Sequence, residues 1–185
     1  MSTHVNKCSL SDYPVKFNNH DKAISQKQAR QNLNLSPNKK TVMILGGSQG
    51  SLFLNQTIKK LIGINPRLSK SIQIIHQTGS LDQANLQKFY EQQAIQAIVF
   101  SYDKEMINYY VSADLVICRA GAGTLAEVTF FEKKCITIPL ETKATSHQVD
   151  NAYAIAKRYP NLVKVIKQQE IARKSALLFN LLTQK

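Results

Sequence analysis

At 185 residues, 43% of them hydrophobic, the chain suits one domain large enough to bury a core, and its longest apolar runs are only strand-sized, which excludes a bilayer span of roughly 20 residues. Twenty-four Lys and Arg against twelve Asp and Glu give a net charge of +12, a surface suited to nucleic acid, anionic lipid headgroups or a phosphorylated small molecule. The basic residues are scattered as pairs with no arginine-rich arm, so no nucleic-acid partner is expected.

The first 19 residues are polar and lack an apolar signal core, so a soluble, cytoplasmic chain is expected. Residues 1–23 read as an incoming linker and 24–185 as the domain. Residues 24–35 have helical character and stop at Ser36-Pro37-Asn38. Residues 41–45 form a buried strand, followed at once by Gly46-Gly47-Ser48-Gln49-Gly50 and then a helix over 51–62, with Leu54, Ile58, Leu61 and Ile62 at helical spacing. The alternation continues with strands over 71–76, 97–100, 115–118, 135–138 and 163–166. Helices are expected over 81–94, 104–112, 123–131, 148–158 and 168–182. Strict alternation of β and α implies a parallel sheet covered on both faces, a doubly wound, Rossmann-like α/β domain. Three cysteines without CxxC spacing suggest neither a disulfide framework nor a metal site. Cys118 and Cys135 are expected to be buried, reduced thiols.

Such sheets bind ligands at the carboxyl ends of their strands, and four turns there look specialised. The glycines of residues 46–50 let the backbone turn sharply and bring N–H groups to a ligand ahead of a helix N-terminus. The spacing is neither GxGxxG nor a P-loop, so a phosphate loop and a plain tight turn are both compatible with it. After the strand 115–118 comes Arg119-Ala120-Gly121-Ala122-Gly123-Thr124-Leu125-Ala126-Glu127. Small residues open a helix there, Thr124 is placed to cap it, and Glu127 falls one turn inside. Its carboxylate is suited either to accept from two ribose hydroxyls or simply to complement the helix dipole. The third turn contains Thr145-Ser146-His147-Gln148 before a helix; the fourth is Phe100-Ser101-Tyr102-Asp103, whose backbone can meet a flat base edge.

In this order the turns resemble the MurG family of glycosyltransferases, family 28, which transfers N-acetylglucosamine to undecaprenyl-linked muramyl-pentapeptide. Ile44-Leu45-Gly46-Gly47-Ser48-Gln49-Gly50 with Asn55, Ala113-Asp114 through Glu127, and Ile138-Pro139, His147-Gln148 and Asn151-Ala152 carry the resemblance, which runs from about residue 14 to 166. It implies one half of a GT-B fold, the C-terminal domain that holds UDP-N-acetylglucosamine. By the resemblance Ser48 and the backbone of Gly47, Gln49 and Gly50 hold the diphosphate, and the backbone near Tyr102 and Asp103 meets uracil. Ala122, Gly123, Thr124 and Leu125 line the phosphate and sugar side, Glu127 binds ribose, and Gln148 the sugar hydroxyls. Pro14-Val15-Lys16 stands where the family's linker ends in arginine; Lys16 keeps the charge but not the planar grip.

The resemblance also implies peptidoglycan synthesis, a lipid-linked acceptor held by an N-terminal domain or partner chain, and peripheral attachment to the anionic cytoplasmic face of the inner membrane. No cofactor or metal is expected, and no catalytic residue is assigned. With nothing resembling an acceptor domain before the linker, the chain is expected to be incomplete alone. Met106, Tyr109, Tyr110 and the polar C-terminal stretch are expected to include residues left without partners. The competing readings are a non-catalytic nucleotide-binding or regulatory module, and the donor-binding subunit of a split transferase.

Overall fold

The computed structural model describes residues 13–47, 49–80, 82–142 and 146–183. Six strands form one sheet, all neighbours parallel: β1 Lys40–Leu45, β2 Ile72–Gln77, β3 Ala97–Phe100, β4 Leu115–Cys118, β5 Cys135–Thr137 and β6 Val163–Val165, in the spatial order β3-β2-β1-β4-β5-β6. This is the doubly wound order with its switch point between β1 and β4, as the alternation implies. The helices are α1 Gln26–Asn32, α2 Leu52–Gly63, α3 Leu68–Ser71, α4 Gln83–Gln92, α5 Ile107–Ser112, α6 Ala122–Phe130, α7 Ser146–Arg158 and α8 Ser175–Thr183.

The two-residue period of β1 splits the core in two. Val42 and Ile44 pack with Leu54, Ile58 and Leu61 of α2, Leu86 and Tyr90 of α4, and Leu178 and Leu182 of α8. Met43 and Leu45 face the other layer, with Ala29 of α1, Tyr110 of α5, Leu125 and Val128 of α6 and Ala152 of α7. Each such side chain contributes about 1.5–3 kcal/mol by leaving water. Cys118 and Cys135 are buried and reduced, with their sulfurs 3.5 Å apart.

Part of the expected linker packs onto the domain. Phe17 meets Phe131 edge-on at 4.9 Å between ring centroids and Tyr110 at 6.0 Å, and Asn18 caps a 3-10 turn over Asn19–Lys22. Residues 1–12, with Cys8, lie outside the described residues.

Three boundaries differ from the sequence reading. The helix expected over 104–112 begins only at Ile107, because the Asp103 carboxylate accepts the Glu105 N–H at 2.9 Å and holds the preceding residues in a loop. The helix expected over 168–182 is broken into a 3-10 turn, Gln168–Glu170, and α8: Glu170 accepts both the Lys167 N–H at 3.2 Å and the Lys174 ammonium at 3.0 Å, closing the turn on itself. The short α3 was not anticipated; it seats Leu68 in the core just before β2.

Below the carboxyl end of β2 lies a buried polar chain. His76, fully inaccessible, bonds through Nδ1 to the Tyr90 hydroxyl at 2.7 Å and through Nε2 to Asn55 Oδ1 at 3.1 Å. The Asn55 amide donates to Thr78 O at 3.3 Å and Asp82 Oδ2 at 3.1 Å. Burial pulls the His76 imidazole down to about 3, so the folded protein keeps it neutral while the unfolded chain takes a proton below about 6.5. More protons on the unfolded state means stability falls as pH drops through the window from about 6.5 to 3, by up to about 1.4 kcal/mol per pH unit. The stability advantage of wild type over His76→Gln should therefore be greatest at neutral pH and narrow below it. Urea unfolding of both at pH 7, 6 and 5 checks this, and a gap that does not change with pH would mean that His76 titrates normally.

Candidate functional site

Beside the switch point, at the carboxyl ends of the strands, Lys16, Leu45, Gly47, Gln77, Tyr102, Asp103, Met106, Tyr110, Thr124 and Glu127 enclose a cleft of about 210 Å³. Its first wall is the glycine loop after β1. The Gly46 N–H donates to Gln77 O at 3.1 Å, tying the loop to β2, and the Gly50 N–H donates back to Gly47 O at 3.0 Å. Gly47 and Gly50 both have positive φ, +84° and +77°. A Cβ on Gly47 would meet nothing within 4 Å, whereas one on Gly50 would lie 2.2 Å from Thr78 O. Gly47 therefore serves the turn alone, and Gly50 also lets the loops after β1 and β2 touch. α2 then opens on Ser51, whose hydroxyl accepts the Leu54 N–H at 3.4 Å.

The second wall is the start of α6. Its N-cap is Gly121, which has no side chain to offer. The Leu125 N–H is bonded to Gly121 O at 3.0 Å, so Ala122, Gly123 and Thr124 supply the first-turn N–H groups that lack an acceptor within the helix. Thr124 and Glu127, three residues apart, share the helix face toward the cleft; Thr124 lines the cleft rather than capping. The Tyr110 hydroxyl donates to Glu127 Oε2 at 2.7 Å, and its ring stacks on Phe131 at 5.0 Å and 8°. Burial pushes the Tyr110 hydroxyl well above its ordinary range, so it remains a donor and fixes the carboxylate's orientation.

The third wall is the loop after β3. Asp103 holds it together, accepting from Glu105 N and, at 2.8 Å, from the Tyr109 hydroxyl. The Glu105 backbone bond comes first among the causes that hold the Asp103 carboxyl below its ordinary range; burial and this hydrogen bond push Tyr109 up to about 12. Lys16 reaches the same loop, donating to Lys104 O at 2.8 Å. Tyr102 is exposed beside it.

Residues 41–182 match the glycosyltransferase family 28 C-terminal domain. The chain belongs to this family. It is 37% identical over 134 residues to the UDP-N-acetylglucosamine–N-acetylmuramyl-(pentapeptide) pyrophosphoryl-undecaprenol N-acetylglucosamine transferase of Trichlorobacter lovleyi, covering 72% of this chain and 35% of that one. With the transferase of the same name from Pelagibacter ubique it shares 32% identity over 184 residues, 96% of this chain and 51% of the relative. The crystal structure of Acinetobacter baumannii MurG superposes with a TM-score of 0.67 at 28% identity, covering 79% of this chain and 43% of that one. The chain thus spans about half or less of the length of these relatives.

Of the residues that the family 28 resemblance assigns, the fold brings Lys16, Gly47, Tyr102, Asp103, Thr124 and Glu127 around one cleft. Ala122 and Gly123 stand at the mouth of α6, and Gln49 and Gly50 continue the glycine loop. The Leu125 side chain is core, 1% exposed. Gln148, on the first turn of α7, accepts the Leu140 N–H through Oε1 at 3.1 Å and does not line the cleft; His147 is exposed. Ser48 and Thr145 lie outside the described residues.

Of the residues expected to include unpartnered ones, Met106, Tyr109 and Tyr110 all have partners. Met106 and Tyr110 are buried at 7% and 1% exposure, and Tyr109 stacks on Phe100 at 4.9 Å. Met106 and Tyr110 pack into the layer with Leu125, Val128 and Phe131, and Tyr109 bonds to Asp103 of the loop after β3. The sequence pattern assigns no role to Arg119. Its guanidinium is 8% exposed and donates to Ser51 Oγ at 3.0 Å, Ile138 O at 3.1 Å and Gln168 Oε1 at 3.1 Å, and no described carboxylate pairs with it. The signal was an arginine directly after a fully apolar strand.

The two loop glycines should respond differently to alanine. Gly47→Ala should cost about 1 kcal/mol, the strain of a left-handed residue. Gly50→Ala adds a collision with backbone and should cost about 3 kcal/mol or more. Equal shifts in chemical-unfolding midpoints would contradict the close approach of the loops.

Proposed function

We propose that this domain binds UDP-N-acetylglucosamine and is the donor half of a transferase that passes the sugar to a lipid-linked muramyl-pentapeptide in peptidoglycan synthesis. One observation carries the reading: the glycine loop and the start of α6 converge on a single cleft whose carboxylate, Glu127, is held in place by Tyr110.

In this reading the ribose hydroxyls donate to Glu127, and the backbone by Tyr102 and Asp103 meets the edge of uracil. The diphosphate lies between residues 47–50, Ser48 included, and the N–H groups of Ala122, Gly123 and Thr124. Two helix N-termini then face its charge, with the Lys16 ammonium beside it. The Leu125 backbone closes the sugar side. Gln148, with one oxygen already engaged, has its NH₂ to offer a sugar hydroxyl. The anomeric carbon is then presented outward from the carboxyl edge of the sheet. Transfer needs an acceptor hydroxyl and a base aligned with that carbon, and in this reading both come from an acceptor-binding domain or partner chain across the cleft. The assembled enzyme sits peripherally on an anionic cytoplasmic leaflet, each well-placed basic residue contributing about 1 kcal/mol.

Calorimetry should show UDP and its N-acetylglucosamine conjugate binding in preference to ADP and NAD; equal or tighter binding of the adenine nucleotides would refute the donor assignment. Glu127→Ala should weaken UDP binding by about 1.5–3 kcal/mol, the worth of hydrogen bonds to a charged group. A folded variant with unchanged UDP affinity would leave the carboxylate only its helix-dipole role.

In a transfer assay with a lipid-linked muramyl acceptor, the 185-residue chain should be inactive alone and active once a matching acceptor-binding domain is added. Turnover by the chain alone would place acceptor site and base within it. UDP binding without turnover in any combination would favour a regulatory nucleotide-binding module.

A further inference from the structure

We infer that the amino-terminal edge of the sheet carries a second anion-binding site, for a small molecule bearing two or more phosphate groups. The strand starts at this edge enclose a basin of about 950 Å³, at the far end of the sheet from the donor cleft. Lys40 opens β1, Lys134 immediately precedes β5, and Lys164 sits in β6 opposite Ile136 of β5. Lys39 and Lys133 precede them, and Lys70 comes from α3.

Seven cationic side chains line the basin against two carboxylates, Asp114 and Glu132, so positive charge remains in excess even though Asp114 acts on Lys40 and Lys133. Asp114 is consumed by structure: its Oδ2 accepts from Arg30 at 2.5 Å and from the Thr41 N–H at 2.7 Å, and its Oδ1 accepts from Gln26 at 2.9 Å. Glu132 extends into solvent, pairing at 3.7 Å with Lys22. Lys39, Lys70, Lys133, Lys134 and Lys164 form no ion pair with a described carboxylate.

Three of the ammonium groups are held by backbone carbonyls: Lys39 by Ser69 O at 2.9 Å, Lys40 by Leu181 O at 2.6 Å and Lys133 by Val111 O at 3.0 Å. Lys70, Lys134 and Lys164 are exposed around them. Burial lowers Lys40 and Lys133 from the ordinary lysine range; Asp114 offsets part of this for both, and the neighbouring Lys134 and Arg30, respectively, add to the lowering. An anion seated among them relieves both effects, and a concave wall of one sign concentrates the field.

The occupant's chemistry follows from the lining. Lysines are point-charge donors suited to phosphate, and the volume falls in the range of small-ligand sites. Among the described residues no aromatic side chain lines the basin, so none of them offers a stacking platform for a base. Lys39 and Lys133 are half-buried in the wall of the basin.

Inorganic triphosphate, titrated calorimetrically into the 185-residue chain at low salt, should bind with about one equivalent. The variant Lys39→Ala/Lys134→Ala/Lys164→Ala should weaken it at least about tenfold and leave UDP binding as in wild type. Lys134→Glu/Lys164→Glu changes only exposed residues and should produce the same loss, which keeps the test valid if the triple variant misfolds. Glu127→Ala should bind triphosphate normally, so the result does not depend on the donor reading. Undiminished affinity in both lysine variants, or displacement of triphosphate by UDP, would overturn the proposal. So would phosphatidylglycerol vesicles that need these lysines while triphosphate does not bind, since the edge would then be a lipid-docking surface.

Discussion

The site depends on the parallel pairing of β1 with both β2 and β4. That pairing sets Leu45 beside Gln77 on one side and Cys118 on the other, so the three chains leave the sheet at one level. Two bonds continue the ladder past the last strand residues: the Gly46 N–H to Gln77 O, and the Arg119 N–H to Leu45 O at 3.3 Å. A slip of one residue in β1 would exchange its two buried faces and carry the glycine loop away from α6. At the other end Asp114 accepts the Thr41 N–H and the Arg30 guanidinium, which fixes the entry of β4 against β1. Breaking such a shielded ion pair on one side leaves the other charge uncompensated, so register is guarded at both ends of the switch point.

The fold was legible because the central strands β1, β2, β4 and β5 are buried on both faces. Runs such as Thr41-Val42-Met43-Ile44-Leu45 then read as strands by length and branching, and the helices between them by their apolar spacing. Boundaries failed where side chains, not periodicity, decide them. Asp103 delays α5 and Glu170 closes a turn that splits the last helix, and neither competition shows in a pattern of apolar residues. The site was legible to the extent that glycines and helix starts mark it. Tyr110 was hidden: its place beside Glu127 depends on α5 packing against α6 across 17 residues of sequence. His76 was hidden for the same reason, since its partners Asn55 and Tyr90 come from two separate helices.

The charge of +12 is divided between environments. At the carboxyl edge, positive potential comes from helix termini, Lys16 and the buried Arg119, and a carboxylate stands among them. Arg119 lies beneath α2, its ring contact with Phe53 at 5.1 Å shielding it from water while backbone carbonyls and Ser51 take its hydrogen bonds. Burial lowers it from its ordinary range, yet a guanidinium stays charged under all working conditions. At the amino edge the charge is carried by lysines, three of them held only by backbone carbonyls, with few carboxylates near. The first arrangement suits a ligand that must be oriented; the second suits one that need only be held.

Orientation is the stricter demand, and the Tyr110–Glu127 pair shows how it is met. A carboxylate on an exposed helix surface samples several rotamers and loses entropy when a ligand fixes it. Here the Tyr110 hydroxyl, buried and clamped by its stack on Phe131, fixes one oxygen before any ligand arrives. Phe131 is braced in turn by Phe17 from the segment before α1, so that segment reaches the Glu127 side of the cleft through two aromatic rings. Phe17 also adjoins Lys16, whose ammonium lies 5.2 Å from its ring. The incoming chain therefore places a charge at the cleft and stiffens the carboxylate opposite with adjacent residues.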